Sequence, residues 1–264
     1  MLYLVIDFET TGVGKDAKNG YKNYPAALAP LPGPNYPVEL AAELIDANGT
    51  VVDSMKTLIS GAERLDPWVL ENCPHLSVKT CERDGIPLIE AIGKLVDIVQ
   101  GRDCTLVAHN IQYDWNDVIL AAARHDENLN SNFEFHMLKS FPRFCTSVND
   151  AHKKDKTCYY FSKLGKWIGP TLEKLASRYG VEYKTDRAHD AAYDVRVTSA
   201  CLVKMLKRGL VPVEADPTVY AKANPRYNRA SIYEHGSYYD EDGDPFDTEN
   251  AANWDGDQQV GFRD

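Results

Sequence analysis

The chain has 264 residues, 44% of them hydrophobic, and a formal net charge of −10. That is enough apolar material for one core of ordinary size with additions. No apolar run is long enough to span a bilayer and the N-terminus lacks a signal-peptide pattern, so a soluble, cytoplasmic protein without a membrane partner is expected. An acidic total argues against a wholly basic binding surface, but the charge is uneven. From Glu214 onward there are 12 acidic and 4 basic residues, leaving residues 1–213 close to neutral. The six cysteines form no C-x-x-C pair and several sit in apolar runs, which predicts buried, reduced thiols. Cys145, His152 and Cys158 match no common structural zinc spacing.

Residues 1–7 read as a first strand, Leu2-Tyr3-Leu4-Val5-Ile6, which delivers Asp7 and Glu9 and then Thr10-Thr11-Gly12. Side chains alternate along a strand, so Asp7 and Glu9 point the same way, about 6–7 Å apart. Two carboxylates so placed either face water or share a positive partner, and a divalent cation with oxygen ligands is a natural one. Residues 13–37, with four prolines between 30 and 37, predict a long inserted loop beside this motif. Residues 38–46 and 50–60 predict a hairpin around Asn48-Gly49. A short helical turn follows at 65–69, then a loop at 73–77. The apolar spacing over 87–100 predicts a helix.

Residues 105–108 predict a buried strand, followed by His109-Asn110-Ile111-Gln112-Tyr113-Asp114 and a helix to about Asp126. Asp114 reads equally as the N-cap of that helix. A fifth strand is expected over 143–147 and an unpatterned, lysine-rich connection over 148–167. A helix over 171–179 stops at Gly180, and a last helix over 190–206 turns Ala191, Val195, Thr198, Leu202 and Met205 inward. His189 and Asp194 are five apart, about 140° around a helix. To act together, His189 must lie in the approach and Asp194 in the first turns. Residues 213–264 are acidic and aperiodic, with Tyr220, Tyr227, Trp254 and other aromatics suited to docking on the domain or on a partner. The order of elements predicts a mixed α/β layer fold.

Taken together, Asp-x-Glu-Thr-Thr-Gly on a first strand, His-Asn-x-x-Tyr-Asp at a later strand–helix junction and His-x-Ala-x-x-Asp at the last helix resemble the DEDDh 3′→5′ exonuclease superfamily. The resemblance spans residues 1 to about 208 in the family's order, and Pro74-His75-Leu76-Ser77 is similar to a further family loop. It implies an RNase H-like mixed five-stranded sheet flanked by helices, an exonuclease domain over 1–212 and a separate tail over 213–264. It further implies that Asp7, Glu9, Asp114 and Asp194 hold two Mg²⁺ or Mn²⁺ ions, with His189 as general base. Phe8, Thr10, Thr11, His75, Asn110 and Tyr113 match or neighbour positions that touch the terminal nucleotide. The expected activity is release of nucleoside 5′-monophosphates from single-stranded 3′ ends, DNA ahead of RNA, with a rate rising through the His189 pKa near 6–7. An exoribonuclease of the same superfamily, a non-catalytic scaffold and a proofreading partner bound to a polymerase through the tail remain as alternatives.

Overall fold

The computed structural model describes residues 1–12, 36–162 and 166–211. The tail expected over 213–264 and most of the inserted loop lie outside these residues. Of the expected loop, Tyr36 and Pro37 are described. Pro37 already belongs to a strand, pairing with Thr10 where the register shifts after Glu9. Proline is tolerated as a strand's first residue because the ladder asks no N–H of it there.

Five strands make the main sheet: β1 (Leu2–Thr10), β2 (Pro37–Asp46), β3 (Val51–Leu58), β4 (Cys104–Ala108) and β5 (Arg143–Cys145). Their order is β3-β2-β1-β4-β5. β1 runs antiparallel to β2 and parallel to β4, and β4 runs parallel to β5. The Asn48-Gly49 turn is as expected: Gly49 takes a φ of +92°, and Asp46 Oδ1 accepts the N–H groups of Asn48 and Thr50, both at 2.8 Å.

Helices cover both faces. α1 (Pro67–Asn72) and α2 (Val78–Asp84) precede β4, as does α3 (Leu88–Asp97). A π-helical stretch, Tyr113–Ile119, runs into α4 (Leu120–His125), then α5 (Glu127–Asn130) and α6 (Phe133–Ser140). After β5 come α7 (Asp150–Lys154), a small hairpin of β6 (Tyr159–Phe161) and β7 (Lys166–Ile168), α8 (Leu172–Tyr179) and α9 (Ala191–Lys207). Even-numbered residues of β1 (Leu4, Ile6, Phe8) pack with α3, the π stretch, α4 and α6. Odd-numbered ones (Tyr3, Val5) pack with α8 and α9. This parity places Asp7 and Glu9 on the side of α9. The five inward residues expected of α9 are all buried. All six cysteines are buried and free.

Several local expectations are corrected. The strand expected over 143–147 ends at Cys145; Thr146 still donates its N–H to the Ala108 carbonyl, and Ser147 turns away to bond the Pro170 carbonyl. The loop expected at 73–77 leads directly into α2, which a Ser77–Thr80 capping box starts. α2 contributes a single buried residue, Cys81, and so leaves no apolar period to read. The connection expected over 148–167 contains α7 and the β6–β7 hairpin. Among the described residues, no helix is long and apolar enough to cross a membrane.

Candidate active site

β1 carries Asp7 and Glu9 to the end of the sheet where the parallel strand β4 also terminates. The register with β2 shifts by one residue between Glu9 and Thr10, and such irregularities beside sites commonly re-aim the backbone. Thr10 is still part of β1. Its hydroxyl lies 2.8 Å from that of Tyr113 and donates to the Gly12 carbonyl at 3.0 Å. The Thr11 N–H donates to the Tyr36 carbonyl at 2.8 Å, and the Thr11 carbonyl accepts from Asp66 N–H at 2.7 Å. Gly12 packs closely here: a Cβ would lie 3.0 Å from Asp66 Cβ, on the N-cap of α1.

Asp114 does not cap a helix. It sits inside the π-helical stretch, buried, and its Oδ1 accepts the Phe8 N–H at 3.2 Å. That bond ties the π stretch to β1 midway between Asp7 and Glu9. π turns recur at functional sites because the wider turn displaces one side chain from the helical stripe.

His189 lies immediately before Asp190, the N-cap of α9, and Asp194 is in the first turn. His189 adopts a left-handed φ of +66°, and its N–H donates to Asp194 Oδ2 at 3.0 Å. The backbone turn thus brings together two residues that a continuous helix would hold apart. Ligand atoms of Glu9, His189 and Asp194 lie within 4.8 Å of one another. The Trp68 ring meets the imidazole edge-on, centroids 5.0 Å apart.

The remaining expected contacts are distributed unevenly. Phe8 is buried in the core. Tyr113 packs partly against that core, with only its hydroxyl spoken for by Thr10. Asn110 is exposed at the end of β4 in a left-handed conformation, φ +70°. His75 Nε2 lies 3.2 Å from Glu39 Oε2.

Glu39 is the residue the motif reading missed. It pairs with Glu9 across the β1–β2 ladder and is fully buried. Its carboxylate faces Lys56 Nζ at 3.0 Å and accepts Ala191 N–H at 3.1 Å, on the first turn of α9. Lys56 also meets Asp190 at 3.1 Å. The readable signal was one of two glutamates in the apolar run of β2, with a lysine two positions from the end of β3.

Charge is concentrated to a degree that the protein groups do not neutralise. Burial, then Asp114, Glu9, Asp194 and Glu39, hold the Asp7 carboxyl well above the usual range. Burial, then Asp194 and Glu39, push Glu9 up to about 8. Burial raises Asp114 to about 8 against the opposing Phe8 N–H, and raises Asp194 to about 6. Asp194 Oδ1 is buried without a hydrogen-bond partner among the described residues. A divalent cation would satisfy that oxygen and reverse each of these shifts, so the donor set fits hard metal ions. Burial lowers the His189 pKa below its ordinary 6.5.

A mixed five-stranded sheet with Glu9, His189 and Asp194 drawn together at one end agrees with the exonuclease resemblance of the sequence. The chain matches the model of the RNase_T exonuclease family over residues 4–202, and it belongs to that family. No curated protein matches it in sequence. Solved structures share the fold. A 3′-exonuclease in 3′-end specific recognition of a histone mRNA stem-loop is 11% identical, with a TM-score of 0.53 over 79% of this chain and 83% of that one. The nuclease domain of 3′hExo, a DEDDh family member bound to rAMP, is 13% identical at a TM-score of 0.53, over 79% and 93%. The zinc-bound E. coli ExoI–ssDNA complex is 14% identical at 0.53, over 88% of this chain and 44% of that one.

Proposed function

We propose that this exonuclease works in the 3′→5′ direction on single-stranded ends, DNA in the first instance, releasing nucleoside 5′-monophosphates. The observation that carries the reading is the convergence of Asp7, Glu9, Asp114 and Asp194 beside His189, with Glu9, His189 and Asp194 ligand atoms within 4.8 Å. Asp7, Glu9, Asp114 and Asp194 would hold two Mg²⁺ or Mn²⁺ ions. When bound, such ions stabilise charge on a phosphodiester and acidify water.

The chain's own residues do the rest. His189 has its pKa lowered by burial, so its ring is neutral at pH 7 and free to accept the proton of an attacking water. Trp68 and the His189 N–H bond to Asp194 fix the ring's approach. Glu39 holds the first turn of α9, and Lys56 holds its N-cap Asp190. Tyr113 and the exposed Asn110 are placed to meet the terminal nucleotide; the Thr10 hydroxyl orients Tyr113. Phe8, Thr11 and His75 serve the same pocket from behind, through packing and backbone.

The test is digestion of a 5′-labelled single-stranded DNA oligonucleotide with Mg²⁺. A ladder shortening from the 3′ end with 5′-mononucleotides as product is expected. Asp7→Ala abolishes it and His189→Gln slows it about 10²–10⁴-fold. Shortening from the 5′ end, or 3′-mononucleotide products, would overturn the reading. A second reading, an exoribonuclease, is favoured by the fold shared with the structure recognising a histone mRNA stem-loop. Faster cleavage of a matched RNA oligonucleotide would select it.

A further inference from the structure

None of the described residues of the β6–β7 hairpin is buried. Tyr159, Tyr160, Phe161 and Trp167 are 58%, 52%, 37% and 39% exposed. A two-stranded hairpin is marginal alone, and one cross-strand aromatic pair is enough to explain its formation: Tyr160 lies opposite Trp167, ring centroids 5.6 Å apart, with Lys153 Nζ 5.8 Å from the Trp167 ring. That leaves the other face unexplained. There Tyr159 and Phe161 stand beside Lys166, the cross-strand neighbour of Phe161.

The hairpin's position gives this face a use. The hairpin leads into Pro170, which is held against His109 and Ser147 just past the C-terminal ends of the parallel strands β4 and β5, the end of the sheet that carries Asp7 and Glu9. It is anchored tightly there. The Pro170 carbonyl accepts from Ser147 Oγ at 3.1 Å and lies 3.1 Å from His109 Nε2, and a Cβ on Gly169 would collide with Ser147 Oγ. In a chain of net charge −10, residues 150–168 carry five lysines and two aspartates.

Exposed aromatic rings beside lysines fit a nucleic-acid single strand, whose bases stack on the rings while its phosphates meet the ammonium groups. We infer that the Tyr159–Phe161–Lys166 face of the hairpin is a subsite for the single strand upstream of the nucleotide being removed. The inference rests on the proposed nuclease reading and adds to it a second contact, remote from the bond being cleaved.

The test compares the full-length chain with its Tyr159→Ala/Phe161→Ala variant on a long single-stranded oligonucleotide and on a dinucleotide too short to reach the hairpin. KM for the long substrate rises roughly tenfold or more, by the usual worth of a base stacked on an aromatic ring, while kcat and dinucleotide cleavage stay unchanged. The Tyr159→Phe/Phe161→Tyr variant keeps the original KM, which a damaged fold would not. Lys166→Gln lowers the salt dependence of long-strand binding by about one counterion. An unchanged KM on the long strand overturns the subsite. So does a gain in activity, which would mean that the hairpin holds something else, such as the acidic residues 213–264. Anisotropy of the labelled long strand with chelator present reads binding without cleavage. A chain that cleaves neither substrate yet loses binding in the alanine variant sinks the nuclease reading and leaves the subsite standing.

Discussion

A single histidine shows how position decides role. His109 belongs to the motif that also contains Asn110, Tyr113 and Asp114, yet it faces away from the acids. Its Nδ1 lies 3.1 Å from Thr146 Oγ1 and its Nε2 3.1 Å from the Pro170 carbonyl, so it braces β4 against the segments that leave β5 and enter α8. Burial, with His152 nearby, lowers its pKa to about 4. The folded chain therefore resists protonation there while the unfolded chain accepts it. Stability is retained above about pH 6.5 and is lost as the pH falls toward 4, by on the order of 2–3 kcal/mol. Denaturant titrations between pH 7 and pH 4.5 check this: His109→Gln is less stable at pH 7 but loses less on acidification. Parallel pH slopes for the two proteins would remove the assignment. His152 has a similar bracing role, with its ring nitrogens 3.0 Å from the Ser147 carbonyl and 2.8 Å from Tyr179 OH.

At the level of elements, α9 is held at its start by β2 and β3. Glu39 spans from the sheet to Ala191, with Lys56 bridging Glu39 and Asp190. Removing only the lysine leaves a buried carboxylate with the Ala191 N–H and the His75 ring beside it but without its principal cation. Lys56→Met lowers unfolding free energy by about 1–3 kcal/mol, less than a fully buried pair because the lysine is partly exposed. Glu39→Leu combined with Lys56→Met recovers much of that loss, as apolar replacements of buried pairs often do. It does not recover activity. The Ala191 N–H has lost its acceptor, the His189 approach loosens, and kcat falls about ten- to hundredfold. Chemical denaturation and steady-state kinetics on both variants separate the two effects; full activity in the double variant would show that Glu39 does not position the site.

For the whole molecule, the acidic end is a reservoir of repulsion that a cation relieves. With chelator present, the raised pKa values of Asp7, Glu9, Asp114 and Asp194 mean that the folded chain holds protons the unfolded chain has released, so stability falls as the pH rises from about 4 through 8. Excess Mg²⁺ or Mn²⁺ raises the melting temperature by about 5–10 °C, and by more at pH 8 than at pH 6. Asp7→Asn raises the metal-free melting temperature and shrinks the response; identical melting curves with chelator and with metal would refute metal binding by these acids. The sequence by itself determined the strand that carries Asp7 and Glu9, the Asn48-Gly49 hairpin, and the helices ending at Gly180 and beginning at Asp190. Alternation, period and caps are local rules that a chain states in its own order. Only the tertiary structure decided that Asp114 bonds to the Phe8 N–H rather than capping a helix. The same holds for the left-handed turn that joins His189 to Asp194, for Glu39 as a buried fifth acid, and for the lysine-rich connection as an exposed aromatic hairpin. Each depends on a partner far away in the chain, and no periodicity records which distant group an isolated polar or aromatic residue will meet.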